Sequence, residues 1–261
     1  MKSRRNSFGV TLSVWNALLL REALSRLFGS RAAWFWLLAE PLVHMVIIGF
    51  IYAFIRHHTV GGIDTLIFLV LGLQGFFLFR RTASQTAGAI DANRALFAYR
   101  QVTPTDTVLI RGVLEAVLMA MVVTAMMVGL LLLGHDILPI DPLAVLLAFA
   151  GLWLLGMAFG LIVAAVSQLA PEFRRIVNMV MMPLYFISGV LAPIASIPQP
   201  YRGWLMLNPI AHGLDAARTG FAPYYHHVPG LSLSYLYTFA LVGVFAGLLL
   251  HRRLAEFMVT R

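Results

Sequence analysis

From Leu143 to Val166 the chain carries no charged residue, and the stretch is dense in leucine, alanine and glycine. Crossing the roughly 30 Å of bilayer hydrocarbon takes about 20 mostly apolar helical residues, because no water is there to pair with open backbone groups. Five other segments share this character, so candidate spans fall at about 33–55, 63–80, 109–134, 143–167, 176–194 and 231–250. Their apolarity is continuous rather than alternating at every second residue, which argues for helices against a barrel of strands. Of the 261 residues, 60% are hydrophobic and 11% charged, where a soluble domain carries about 25% charged. Burial cannot explain the deficit, since a soluble domain must still cover its surface. The expected fold is an all-α membrane protein with six transmembrane helices.

The net charge is +8 and the isoelectric point near 10.4. Its placement, in short clusters flanking apolar runs, argues against a nucleic-acid partner. Lys2, Arg4, Arg5, Arg21, Arg26, Arg31, Arg80, Arg81, Arg94, Arg100, Arg111, Arg174, Arg175, Arg252, Arg253 and Arg261 fall on one side of the spans, against Arg56, Arg202 and Arg218 on the other. The positive-inside rule then puts both termini in the cytoplasm. Cysteine is absent, which excludes disulfides, Fe–S clusters and thiol catalysis. The opening "MKSRRNSFG" resembles a twin-arginine export signal. Arg21-Glu22 breaks the apolar run behind it and no A-x-A site follows, so the match is read as coincidence.

Residues 11–29 differ from the spans. Leu12, Leu19, Leu20, Ala23, Leu24 and Leu27 share one helical face, opposite Arg21, Glu22, Ser25 and Arg26. A helix so patterned lies along the membrane surface, and Leu27-Phe28-Gly29-Ser30 ends it. The connection from Thr82 to Asp106 is polar and helix-compatible as far as Thr103-Pro104, long enough to present a short helix to a soluble partner. The outer connections "RHHTVGGID" and "HDILPIDP" are short. The stretch from Ser188 to Phe221 is too apolar for an ordinary surface loop, yet Pro193, Pro198, Pro200 and Pro209 prevent one continuous helix.

Chemistry-bearing residues are few. A P-loop needs a lysine on the β/γ-phosphates, and the only lysine is Lys2, so nucleotide energy has to come from another polypeptide. His57-His58 and His226-His227 are adjacent pairs in outer connections, not the i, i+3 or i+4 spacing of helical metal ligands; they read as solvated loop histidines and no metal site is expected. Glu40, just before Pro41 and one turn from His44, reads equally as the partner of a helix kink or as a lining residue. Arg111 and Glu115, at i, i+4, read as a structural pair. His212, Asp215 and Arg218 lie on successive turns and could hold a phosphate, but no second cluster joins them. An enzyme is not expected.

Three stretches resemble one family. They are "LLLREALSRLFGSRAAWFWLLAEPLVHMVIIGFIYAF", with E-P inside the first span; "ALFAYRQVTPTDTVLIRGVLEAV", with a V-x-P-x-D turn and R-x-x-L-E; and "PEFRRIVNMVMMPLYFISGVLAPI…LNPIAHGLDAARTGF". Together they resemble the permease subunits of ABC exporters for bacterial cell-surface polysaccharides, closest to the capsular polysaccharide inner-membrane permeases, with O-antigen and teichoic acid exporters as cousins. The resemblance covers about residues 15 to 250. Two departures are that "RAAWFW" replaces a glycine-aromatic entry and that Asp215 stands where glutamate is common.

The resemblance implies a single transmembrane permease domain over 1–261: a cytoplasmic amphipathic helix in 1–31, a cytoplasmic coupling segment in 82–106, and an outer re-entrant segment in 193–230 holding two short helices between spans five and six. It implies a homodimer docking two cytoplasmic ABC ATPase subunits, with ATP and Mg on the partner and no cofactor in this chain. The cargo implied is a lipid-linked, acidic capsular polysaccharide crossing the inner membrane, with periplasmic and outer-membrane export proteins as further partners. The implied substrate path takes in Trp34, Trp36, Tyr52, Gln74, Phe76, Phe79, Arg80, Arg81, Tyr185 and Phe186. An outer gate would use Tyr201, Trp204, Asn208, His212, Asp215 and Arg218, and ATPase coupling Arg21, Glu22, Asp91, Asn93, Arg94, Phe97 and Arg100. Two rival readings are a self-sufficient secondary transporter, which would place ionisable groups at mid-membrane, and a membrane-bound glycolipid enzyme working around His212, Asp215 and Arg218.

Overall fold

The computed structural model describes residues 7–29, 32–54, 59–99, 101–222, 224–226 and 228–260. Lys2, Arg4, Arg5, Arg31, Arg56, His57, His58, Arg100, His227 and Arg261 lie outside the described residues.

The chain is helical nearly throughout: α1 (Ser7–Phe28), α2 (Ala33–Phe54), α3 (Thr65–Ala87), α4 (Ala89–Ala92), α5 (Pro104–Leu132), α6 (Pro142–Leu169), α7 (Glu172–Ile187), α8 (Tyr201–Leu205), α9 (Pro209–Phe221), α10 (Leu233–Arg253) and α11 (Ala255–Thr260). Five of these, α2, α3, α5, α6 and α10, contain stretches long and apolar enough to cross a membrane. The expected span at 176–194 is instead the 16-residue α7, about 24 Å at 1.5 Å per residue. It ends because Gly189 turns the chain with φ +74°. Unlike the other long helices, α7 is strongly two-sided: Met179, Val180, Met182, Phe186 and Ile187 face outward. A small addition to the all-helical expectation is an antiparallel hairpin pairing Thr59–Val60 with Ile63–Asp64. Gly61 and Gly62 turn it with φ of 61° and 91°, the left-handed geometry of a two-residue hairpin turn.

Helix starts follow local chemistry. Thr103 and Asp106 form a reciprocal capping box around Pro104 at the head of α5, which is what the V-x-P-x-D turn encodes. Asp64, Asp141, Asn208 and Ser232 cap α3, α6, α9 and α10 by accepting from backbone N–H groups one turn on.

Helix α3 is the axis of the bundle. Phe68, Leu69, Val70, Leu73, Gln74, Phe76 and Phe79 have no exposure, so it is enclosed by α5, α6, α9 and its other neighbours rather than facing lipid. Glycines of α6 permit the close approach: a Cβ on Gly156 would lie 2.7 Å from the Phe79 carbonyl oxygen, and one on Gly160 would overlap the Thr86 hydroxyl. Small residues at such crossings let helices gain dispersion contacts where water offers no hydrophobic drive. By contrast α2 is nearly unburied, with Leu42, Val43, Val46, Ile47 and Phe50 outward. The broken segment is also no surface loop. Ile210, Ala211, Leu214 and Ala217 of α9 are buried against α6, α10 and α3.

Helix α1 turns its two faces differently toward the bundle. Leu12, Leu20, Leu24 and Phe28 point away from the protein, while Glu22 is buried. The charged side faces the bundle and the oily side faces out.

Candidate functional site

The charged end of the bundle is an ion-pair lattice joining four helices. The Arg111 guanidinium donates to both Glu22 oxygens, at 2.9 Å to each at closest. Asn93 donates to Glu22 at 2.9 Å and accepts from Arg21 at 3.0 Å. Glu115, fully buried, lies 3.2 Å from Arg26 and 3.5 Å from Arg81, and Arg26 also donates to Gln85. The expected Arg111–Glu115 pair is therefore replaced by longer-range pairs, because α1 brings both a carboxylate and a guanidinium to α5. Glu40 of α2 completes the lattice, 3.6 Å from Arg81 and 3.7 Å from Arg80.

Beside the lattice, α2, α3 and α7 enclose a cavity of about 600 Å³. Of the expected path residues, Arg80, Arg81, Tyr185 and Phe186 line it, with Glu40, His44, Ser84, Gln85 and Asn178 as further polar members. His44 Nε2 meets the Tyr185 hydroxyl at 3.1 Å, bridging α2 and α7, and the Tyr185 ring sits edge-on to Phe76 with centroids 5.3 Å apart. Arg80 lies 5.1 Å from the Phe77 ring centre. The other expected path residues are elsewhere. Gln74, Phe76 and Phe79 are packed inside the bundle, Trp34 is exposed, and Trp36 edges a small pocket with Arg26 and Arg81. Asn178 escaped the sequence reading, although it is the one polar side chain in "IVNMVMM".

The opposite end is built around Arg218. Its guanidinium donates to Gly189 O at 2.6 Å and Val190 O at 2.7 Å, and stacks 3.6 Å above the Phe68 ring. Gly72 leaves the room, since a Cβ there would collide with the guanidinium. The Tyr225 hydroxyl is buried beside Asp215 and Arg218. Tyr52 donates to Leu191 O from the other side. The non-helical carbonyls after α7 are thus satisfied by protein donors, as they must be where water is scarce. His212 is fixed by Ser232 N at 2.9 Å and Met206 O at 2.7 Å, and stacks on Tyr235. Arg218 is a core residue and not an outer loop charge; His212 and Asp215 are buried with it, so the trio holds the scaffold together. Of the expected gate residues only Tyr201 and Trp204 are strongly exposed, while Asn208 caps α9 and accepts at its Oδ1 from Ile210 N. Next to this group, Tyr52, Thr59–Gly61, Leu191–Pro193, Ser196 and His226 line a second cavity of about 720 Å³.

The expected coupling set divides in two. Glu22, Asn93 and Phe97 are buried, Phe97 and Ile90 anchoring the connection against α5, α6 and α11. Asp91 and Arg94 remain open to a partner. Asp91 accepts from Arg94 at 3.0 Å, Arg174 at 3.0 Å and Gln168 at 3.2 Å. Partial burial opposes its ionisation, but these donors and cations outweigh it and hold the carboxyl below the usual carboxylate range. No group of three metal-ligating side chains occurs among the described residues.

The sequence is similar to that of known proteins along most of its length. The polysialic acid transport protein KpsM of Escherichia coli is 35% identical over 256 residues, covering 98% of this chain and 99% of that protein. The capsule polysaccharide export inner-membrane protein CtrC of Neisseria meningitidis serogroup A is 28% identical over 211 residues, covering 80% and 78%. The similarly named BexB of Haemophilus influenzae is 28% identical over 217 residues, covering 83% and 82%. The profile of the ABC-2 type transporter family spans residues 13–222, and the chain belongs to that family.

Proposed function

We propose that this chain is the inner-membrane permease subunit of an ATP-driven exporter of a lipid-linked, acidic capsular polysaccharide. The observation that carries the proposal is the end-to-end similarity to the polysialic acid transport protein. Two copies of the chain would form the conduit. The barely buried α2 and the outward apolar side of α7 are surfaces a second copy would cover, with the cavity between them facing the shared path.

Energy would come from two cytoplasmic ABC ATPase subunits holding ATP and Mg, because the only lysine, Lys2, cannot supply a P-loop. The exposed Asp91–Arg94–Arg174 cluster is the docking surface for them, and Glu22–Arg111 ties α1 to α5 so that motion at that surface reaches the bundle. Six crossings, with both termini cytoplasmic, follow if α7 and its turn cross as the fifth and α8 and α9 return into the outer leaflet. Support comes from the Arg218 and Tyr52 donors on the carbonyls of 189–191, since irregular backbone survives at membrane depth only when protein or cavity water satisfies it. Arginines are also segregated to the α1 end.

The test is co-expression with a P-loop ATPase from the same genome, followed by purification of the pair and assay of nucleotide turnover and glycolipid transport in vesicles. A stable pair whose ATPase responds to glycolipid is the expected result. Purification without any such partner, or nucleotide turnover by the permease alone, would reject the proposal.

A further inference from the structure

We infer that the apolar groove between α5 and α6, floored by α3, holds one acyl chain of a bilayer phospholipid with an ammonium in its headgroup, phosphatidylethanolamine being the chemistry that fits. The inference requires only that α5 and α6 lie in a bilayer, so it stands apart from the exporter reading.

Helices α5 and α6 follow each other in sequence yet touch only lightly, each packing on α3 instead. Between them lies a cavity of about 460 Å³, where protein interiors hold few voids larger than a water molecule. Small side chains open it: Ala116 and Ala120 on α5 and Ala150 on α6 line it where larger ones would close it. Leu71 and Leu78 form its floor. Seven positions apart, they share one side of α3, turned away from Arg80 and Ser84, which line the cavity beside α2 and α7. The groove is thus separate from that cavity.

The walls suit hydrocarbon. Among the described lining residues, Thr124 and Trp153 carry the polar side-chain groups, and the indole N–H of Trp153 donates to Gly112 O at 2.8 Å. Water, which needs about two to four polar partners, has no seat there. From Ala116 to Met127 the α5 wall rises about 16 Å at 1.5 Å per residue, close to one leaflet, half of the roughly 30 Å of hydrocarbon. Spread over that length, the cavity is a channel about 6 Å across, narrower than the roughly 10–12 Å of a helix. An alkyl chain therefore enters where a helix of a second copy does not. Left empty, the lining forfeits its dispersion contacts on that side.

The mouth of the groove selects the headgroup. Ile137, Pro139 and Phe221 stand at the end away from the ion-pair lattice, and there the chain carries Asp136 and Asp141, both exposed. No lysine or arginine occurs between Arg111 and Arg174, and His135 is turned to Asp64 at 3.2 Å. An anionic headgroup meets two carboxylates here. The ammonium of phosphatidylethanolamine meets its countercharge and donates to it.

The test titrates the purified full-length protein, in mild detergent, with phosphatidylethanolamine brominated on its acyl chain, which quenches tryptophan fluorescence on contact. A saturable component of quenching that Trp153→Phe removes is expected. Unlabelled phosphatidylethanolamine should displace the probe about threefold better than phosphatidylglycerol, the scale of one exposed ion pair, and Asp136→Asn should erase that preference. Ala120→Phe and Ala150→Phe fill the groove and should each weaken binding about tenfold or more. Ala125→Phe, on another face of α5, should leave it unchanged. Quenching that persists in both filling variants, or that ignores Trp153→Phe, would overturn the groove; equal displacement by phosphatidylglycerol would overturn the headgroup assignment. Should the filling variants fail to fold, the wild-type displacement series and Asp136→Asn, an exposed loop change, still decide, since quenching that never saturates rejects the site. None of these readouts depends on an ATPase partner.

Discussion

Glu22 and Arg111 form a two-oxygen ion pair across 89 positions of sequence, with the closest oxygen 2.9 Å from the guanidinium. Among the described residues neither has another salt-bridge partner, and both are largely withdrawn from solvent. Removing one partner strands the other charge. Glu22→Ala and Arg111→Ala should each cost about 3 kcal/mol, as broken buried pairs do. The double variant should be less damaged than the two losses added, because it strands nothing. Thermal unfolding of the three variants in detergent measures this, and strict additivity would show that the pair is not coupled.

The α3–α6 crossing makes a second prediction through a contrast of glycines. An added Cβ at Gly160 meets Thr86, whereas one at Gly129 meets nothing within 4 Å. Gly160→Ala should destabilise by about 1–3 kcal/mol through overpacking. Gly129→Ala should be neutral or gain up to about 1 kcal/mol from helix propensity. Unfolding midpoints of the two variants, compared side by side, check the sign of each.

Arg218→Lys should fail to restore what Arg218 provides. An ammonium has three donors but no planar fork, so it cannot lie flat on Phe68 while spanning Gly189 and Val190. Hydrogen exchange at 188–192 should accelerate in Arg218→Lys and still more in Arg218→Met, while the distant α10 amides stay as protected as before.

Asp91 carries a pH prediction whose sign follows from its lowered pKa. Its carboxylate contributes stability that is fully present above the unfolded value of about 3.9 and is lost as pH falls through the still lower folded value. The stability difference between wild type and Asp91→Asn should thus be constant at neutral pH and shrink only below about pH 4. In the proposed complex, Asp91→Ala and Arg94→Ala should reduce recovery of the ATPase subunit; unchanged assembly and transport would remove the docking assignment.

Hydropathy alone located the long helices, because continuous apolarity over 20 residues has few other meanings. It overestimated α7, since hydropathy averaged along the chain reports neither the turn that Gly189 makes nor that only one side of the helix is apolar. The capping box at Thr103–Asp106 was legible as a motif because its partners are three residues apart. The ion pairs were not. Arg111 and Glu115 are neighbours on one helix, and nothing in their spacing reveals that α1 offers each a better partner. Likewise the trio at His212, Asp215 and Arg218 displays functional residue types, but only packing shows that carbonyls at 189 and 190 consume the guanidinium. Arg80, Arg81, Tyr185 and Phe186 came together at one cavity as an aromatic and basic group would. Gln74, Phe76 and Phe79 did not, because all sides of α3 are covered and an apolar helix does not announce which of its faces is wet.

The distance in sequence between Glu22 and Arg111 sets a clock on biogenesis. At about 5–20 residues per second of synthesis, the carboxylate emerges roughly 4–18 seconds before its guanidinium. Through that interval α1 has no countercharge to dock against and stays at the water boundary. Helix α1, made before α5, is therefore among the last to be locked in place, and the late arrival of α5 closes the charged end of the molecule.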